Sequence, residues 1–135
     1  MDDILLNKAA VAERCIRRIK EEYAADPSLG NYSHLDALIL NIERACQTSI
    51  DSAMHICAEQ HLGIPQSSAD AFMLLEKKGL ITKELSLNLR QMTTFRNIAV
   101  HEYQILDLTI VEEIALTRYS DFTEFFSALG VSIKP

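Results

Sequence analysis

The feature that most narrows the folding options of this chain is an apolar stripe that recurs in alternating steps of three and four residues. It begins with Leu5, Ala9, Ala12, Ile16, Ile19 and Tyr23, a spacing that keeps one face of an α-helix apolar and suits no strand. It resumes at Leu35, Leu38, Ile42, Ala45, Ser49, Ala53 and Ile56, and again at Leu85, Leu89, Met92, Phe95 and Ala99. A last run takes in Val111, Ala115, Tyr119, Phe122, Phe126 and Leu129. Breakers fall between the runs: Pro27 and Gly30, the segment Leu62-Gly63-Ile64-Pro65, and Gly79, with Gly130 closing the last.

Start and stop signals sharpen the boundaries. The first helix should end near Asp26-Pro27, and a second, capped by Ser33, should run from His34 to Gln60. Ser67-x-x-Asp70 resembles a capping box for a short third helix through Phe72 and Leu75 to Lys78, where Gly79 stops it. Thr82 can cap a fourth helix, and Thr109-x-x-Glu112 can open a fifth. No repeat or interdomain linker interrupts the series. The expected fold is therefore all-α, an antiparallel four-helix bundle plus one short extra helix, formed as one domain over residues 1–135.

Composition agrees with a packed domain. Of 135 residues, 48% are apolar and Trp is absent, enough to bury a core and too little chain for two. No apolar run approaches the ~20 residues that span a bilayer. Met1-Asp2-Asp3 is acidic where a signal peptide would be basic, so the chain is expected in the cytosol. Cys15, Cys46 and Cys57 lack paired spacing and read as small buried hydrophobes, with no disulfide framework and no metal site signalled. The net charge of −6 argues against general electrostatic binding of nucleic acid. Positive charge is local instead: Arg14, Arg17, Arg18 and Lys20, then Lys77 and Lys78, which read as a solvated face, then Arg90 and Arg96. Cleavage of RNA would need Arg90 and Arg96 at one mouth, from one subunit or two.

The residues that carry chemistry are concentrated in Arg96-Asn97-Ile98-Ala99-Val100-His101-Glu102-Tyr103, at the far end of the fourth helix. Histidine moves protons near neutral pH, and arginine offers a permanently charged fork that matches phosphate oxygens. On a wheel turning about 100° per residue, with Arg96 at zero, Tyr103 falls at about −20°, Val100 at about 40° and His101 at about 140°. The core residues Met92, Ala99 and Phe95 cluster between about 260° and 320°, so the set should look away from its own bundle. Asn97 stands four residues before His101 and can orient its ring. Arg96 and His101 diverge, so one subunit makes a poor phosphate clamp. A two-fold homodimer would bring a second pair opposite the first, with Val100 packing across the interface.

This octet, with Ile50-Asp51-Ser52-Ala53-Met54-His55-Ile56 and Leu62-Gly63-Ile64-Pro65-Gln66-Ser67-Ser68 upstream, resembles the HEPN-domain ribonucleases. In particular it resembles the HepT-like toxins that pair with an MNT-type nucleotidyltransferase antitoxin. The resemblance implies a metal-independent endoribonuclease without cofactor, acting on an RNA substrate from a dimer cleft, with Arg96 and His101 catalytic and Asn97 supporting. It further implies that Tyr103 is the residue the nucleotidyltransferase adenylylates, which would set a phosphate and a base where RNA should dock. A second reading stays open: a non-catalytic HEPN module that docks and is modified by such a partner, which the acidic balance favours. A purely structural helical dimer is a third. Asp51 and His55, four apart, read as a pair on one helix face, and His34 and His61 as polar residues near helix ends.

Overall fold

Every apolar stripe is wound into a helix that turns it inward, as the computed structural model, which describes residues 2–135, shows. Helix α1 spans Asp3–Ala25, α2 Tyr32–Glu59, α3 Ser68–Lys78 and α4 Lys83–His101. A single 3-10 turn, Tyr103–Ile105, leads to α5, Leu108–Glu113, and after Ile114–Arg118 to α6, Ser120–Ala128. Two of the expected starts hold: Ser67 accepts from the Asp70 amide and Thr82 from the Leu85 amide, each at 3.1 Å. The return arm of the third helix's box does not form, because the Asp70 carboxylate takes the Gln66 amide instead.

Two caps fall two residues earlier than expected. Asn31, not Ser33, is extended and accepts from the His34 amide, so α2 begins at Tyr32. Asp107, not Thr109, caps α5 by accepting from the Thr109 amide at 2.9 Å. In both cases the earlier residue also carries a capping side chain, and the backbone takes the first that fits. Gly79 ends α3 with φ 83°, the left-handed conformation that costs glycine nothing.

The last stripe forms one arm, interrupted by a π turn over Ile114–Arg118 in which the Tyr119 amide reaches back to the Ile114 carbonyl. The wider turn inserts a local i to i+5 bond into an arm whose stripe otherwise keeps the ordinary helical period. Val111, Ala115, Phe122 and Phe126 of that stripe are buried, joined by Ile114 and Phe125.

Short loops make neighbours antiparallel. The register of α1 on α2 is fixed by three pairs: His34 with Glu22, the Thr48 hydroxyl on the Lys8 carbonyl, and His55 with Asp2. Helix α2 touches α1, α3, α4 and α6, so it is the central element. Phe72 of α3 meets Phe125 of α6 edge to face at 5.6 Å between ring centres, and Phe126 meets Phe125 in the same way at 5.2 Å. The buried Asp121 carboxylate, held by Arg118 at 3.0 Å and Asn88 at 3.3 Å, ties the last arm to α4. All three cysteines are buried and free, as expected of small core residues. No helix among the described residues is long and apolar enough to cross a membrane.

Phe125 touches two other rings at the point where α3 and α6 meet. Phe125→Ala should therefore destabilise the chain by about 3–5 kcal/mol, read as a lowered denaturation midpoint in urea at unchanged slope.

Candidate active site

The rotation of α4 is set by its core face, since Leu85, Leu89, Met92, Phe95 and Ala99 are all buried. That leaves His101 exposed at the last turn and Val100 44% exposed beside it. Arg96 behaves differently from the rest of the octet. It is half-buried at the seam between α4 and α2, and its Nε is enclosed without a hydrogen-bond partner. Its charge reaches Glu43 of α2: burial pushes that carboxyl up, and Arg96, then Arg44, pull it back down. It also reaches Cys46, whose thiol burial pushes up to about 12, which makes it inert as a nucleophile.

Three expectations about the octet are corrected here. The set does not look away from the bundle as one, because Arg96 lies at the margin of the core arc, where its long stem folds back over α2. Asn97 does not bind His101; its side-chain oxygen accepts from Arg96 Nη1 at 3.2 Å. The amide thus steadies the guanidinium, and His101 stands free at the helix end. Finally, Tyr103 does not continue the wheel. The helix ends at His101, Glu102 turns out with φ −140°, and Tyr103 starts the 3-10 turn.

That turn carries the Tyr103 phenol across to α2, where it donates to Asp36 Oδ1 at 2.6 Å. Burial, then the bond to Asp36, then the charges of Asp36 and Glu43 push the phenol up to about 12. The ring is nevertheless 43% exposed and open to reagents. Asp36 and Glu43, unremarked in the sequence reading, form the opposite wall. Seven residues apart, they lie within about 20° of each other on α2. Each directly follows a core residue of the stripe, Leu35 or Ile42, and that repeated polar flank was the available signal. Tyr32, 80% exposed, stands one turn before Asp36.

Other candidates lie elsewhere. Arg90 turns to α3, with its guanidinium 3.9 Å from Glu76, so one subunit does not gather it with Arg96. Asp51 and His55 do not pair: His55 takes Asp2 at 2.8 Å, while Asp51 accepts from Gln47 at 2.8 Å and faces Lys8 at 3.8 Å. Both are drawn to α1 and the segment before it, where a fuller partner is available. His34 Nδ1 sits 2.7 Å from Glu22, and His61 leaves α2 in a left-handed turn with φ 54°. Lys77 and Lys78 are exposed at the end of α3.

The all-α bundle is the fold of solved HEPN toxins, which superimpose on it. A tri-AMPylated Shewanella oneidensis HEPN toxin in complex with an MNT antitoxin matches with TM-score 0.91 and 45% identity, over 96% of this chain and 98% of that one. A toxin–antitoxin complex with AMP-PNP matches with TM-score 0.91 and 44% identity over the same shares. The chain belongs to the Ribonuclease HepT-like family, whose model matches residues 12–129. It is similar to the mRNA nuclease HepT of Shewanella oneidensis, 45% identical over 130 residues that cover 96% of this chain and 98% of the relative.

Spectrophotometric titration should show one tyrosine ionising near pH 12, absent from Tyr103→Phe. Asp36→Asn should lower that midpoint, since the acceptor charge that holds the proton is gone. The folded phenol lies above its ordinary value of 10.0. The stability it contributes is therefore complete below about pH 10 and lost as pH rises toward 12.

Proposed function

We propose that this chain is a metal-independent endoribonuclease toxin that cuts RNA in a dimer cleft through Arg96 and His101, and that an MNT-type nucleotidyltransferase silences it by adenylylating Tyr103. The observation that carries this reading is the position of the three groups at one end of α4: a steadied guanidinium, a free imidazole and a reachable phenol. Its kinship with an mRNA nuclease and with an AMPylated toxin held by an MNT antitoxin supports both halves.

The chemistry follows from the side chains. Cleavage at a ribose needs the 2′-hydroxyl deprotonated, the phosphorane charge stabilised and the 5′-oxygen protonated. Arg96, held by Asn97 and unable to lose its proton, offers its remaining donors to the scissile phosphate and to the charge that develops there. His101 is exposed and turned about 140° from Arg96, so each imidazole works best beside the arginine of the opposite subunit. Two histidines then divide the base and acid roles, and Val100 between them packs across the two-fold. The 2′-oxygen attacks phosphorus, the 5′-oxygen leaves with a proton, and the product carries a 2′,3′-cyclic phosphate. AMP on Tyr103 would place a phosphate within reach of Arg96 and fill the cleft mouth.

His101→Ala should lower RNA cleavage by about 10²–10⁴-fold, and Arg96→Ala by roughly 10²–10³-fold, measured on a labelled transcript. Wild-type cleavage should persist in excess EDTA, and co-expression with the nucleotidyltransferase should add AMP mass to the Tyr103 peptide. Wild-type rates from His101→Ala would overturn the ribonuclease reading. The acidic wall of Asp36 and Glu43 favours a second reading, a non-catalytic HEPN module modified by its partner. Growth inhibition by His101→Ala equal to wild type, with AMP still added at Tyr103, selects it.

A further inference from the structure

The cleavage chemistry above makes no use of Asp36, yet its carboxylate accepts the Tyr103 phenol at 2.6 Å. The contact is not a local accident of sequence, because Asp36 and Tyr103 are 67 residues apart and sit on different elements. No lysine or arginine of the described residues pairs with the Asp36 carboxylate within 4.0 Å, so no cation competes with the phenol for its oxygens. We propose that Asp36 is the proton acceptor that makes Tyr103 a nucleophile toward the α-phosphate of a nucleoside triphosphate. This rests on the reading above that Tyr103 is the adenylylated residue.

The need for an acceptor follows from the surroundings of the phenol. Burial and two carboxylates hold it protonated, with ionisation pushed up to about 12. At neutral pH the free phenolate is then only on the order of one part in 10⁵. The oxygen therefore carries its proton at neutral pH, and an acceptor at hydrogen-bond distance lets that proton leave as the new bond forms. Asp36 Oδ1 is already 2.6 Å from the oxygen that carries it, inside the range required of a general base.

The step balances without further reagents. Tyr103 Oη forms a bond to the α-phosphorus of ATP presented by the partner enzyme, and the bond from that phosphorus to the α,β-bridging oxygen breaks. Pyrophosphate leaves with the electron pair, and the phenolic proton passes to the Asp36 carboxylate and thence to water. No oxidation occurs. The toxin would thus bring part of the machinery for its own silencing, and a tyrosine without a facing carboxylate would be a poor substrate for the same partner.

The test uses the full chain, its MNT-type nucleotidyltransferase and ATP radiolabelled at the α-phosphate, following the first AMP added. Asp36→Asn, which keeps the side chain's shape, and Asp36→Ala should slow that step by about 100-fold or more, with binding of the two proteins unchanged. Asp36→Glu should recover part of the rate. Replacing Tyr103 with a fluorinated tyrosine of more acidic phenol should speed Asp36→Asn far more than it speeds wild type, which a merely structural contact would not do. Labelling of both variants at the wild-type rate, or equal effects of fluorination in both backgrounds, overturns the proposal while leaving Tyr103 as the modified residue. Wild-type chain that takes no AMP at Tyr103 removes the underlying reading and this one with it.

Discussion

The structure depends on how closely other helices can approach α2. Half of that helix is buried, and from Ala45 on its buried face is mostly small, with Ala45, Cys46, Thr48, Ser49, Ser52, Ala53 and Cys57 around Ile50 and Ile56. Small side chains bring neighbouring backbones near, but hydroxyls in a core are costly unless bonded. Ser49 and Ser52 satisfy theirs on carbonyls four residues back in the same helix, at 2.8 and 2.7 Å, and Thr48 uses the Lys8 carbonyl of α1. The Cys46 thiol reaches the Met92 carbonyl of α4 and the Cys57 thiol the Ala71 carbonyl of α3. One helix therefore sets the distance and rotation of three others without exposing a polar group.

The site inherits its character from that closeness. Because α4 lies tight against α2, the Arg96 stem is trapped at the seam and its Nε is enclosed. A lone guanidinium there would be costly, and the Glu43 carboxylate on the facing helix offsets it. The same acidic flank continues to Asp36 and meets the phenol. Thus Arg96 and Tyr103 are both referred to α2, while His101 makes no bond to it and stands exposed at the helix end. In a chain of net charge −6, Arg96 is set among carboxylates of α2, so its positive charge is local.

Much of this was legible in the sequence because burial imposes a period. The stripes from Leu5 to Leu129 marked the helices and most of the core, and Gly79 marked a stop by its conformation. What escaped was whatever depends on a partner far along the chain. Asp51 and His55 stand at the right spacing to pair, yet His55 finds Asp2, 53 residues away. The end of α4 carries neither glycine nor proline, so nothing in the local sequence warned that Tyr103 had left the helix. The π turn was equally silent, since its sequence reads as ordinary helix. Asp36 and Glu43 were visible as a repeated acidic flank, but which element they faced was a question of tertiary structure.

The brief 3-10 turn after α4 is held by two backbone bonds, from the Ile105 and Leu106 amides to the Glu102 and Tyr103 carbonyls, and by one long-range tether, the phenol on Asp36. An oxygen that has become a phosphate ester has no proton left to donate. Covalent capture of that oxygen would therefore untie the segment from α2 in the same stroke that loads it with charge, setting a new anion against the carboxylate it formerly held.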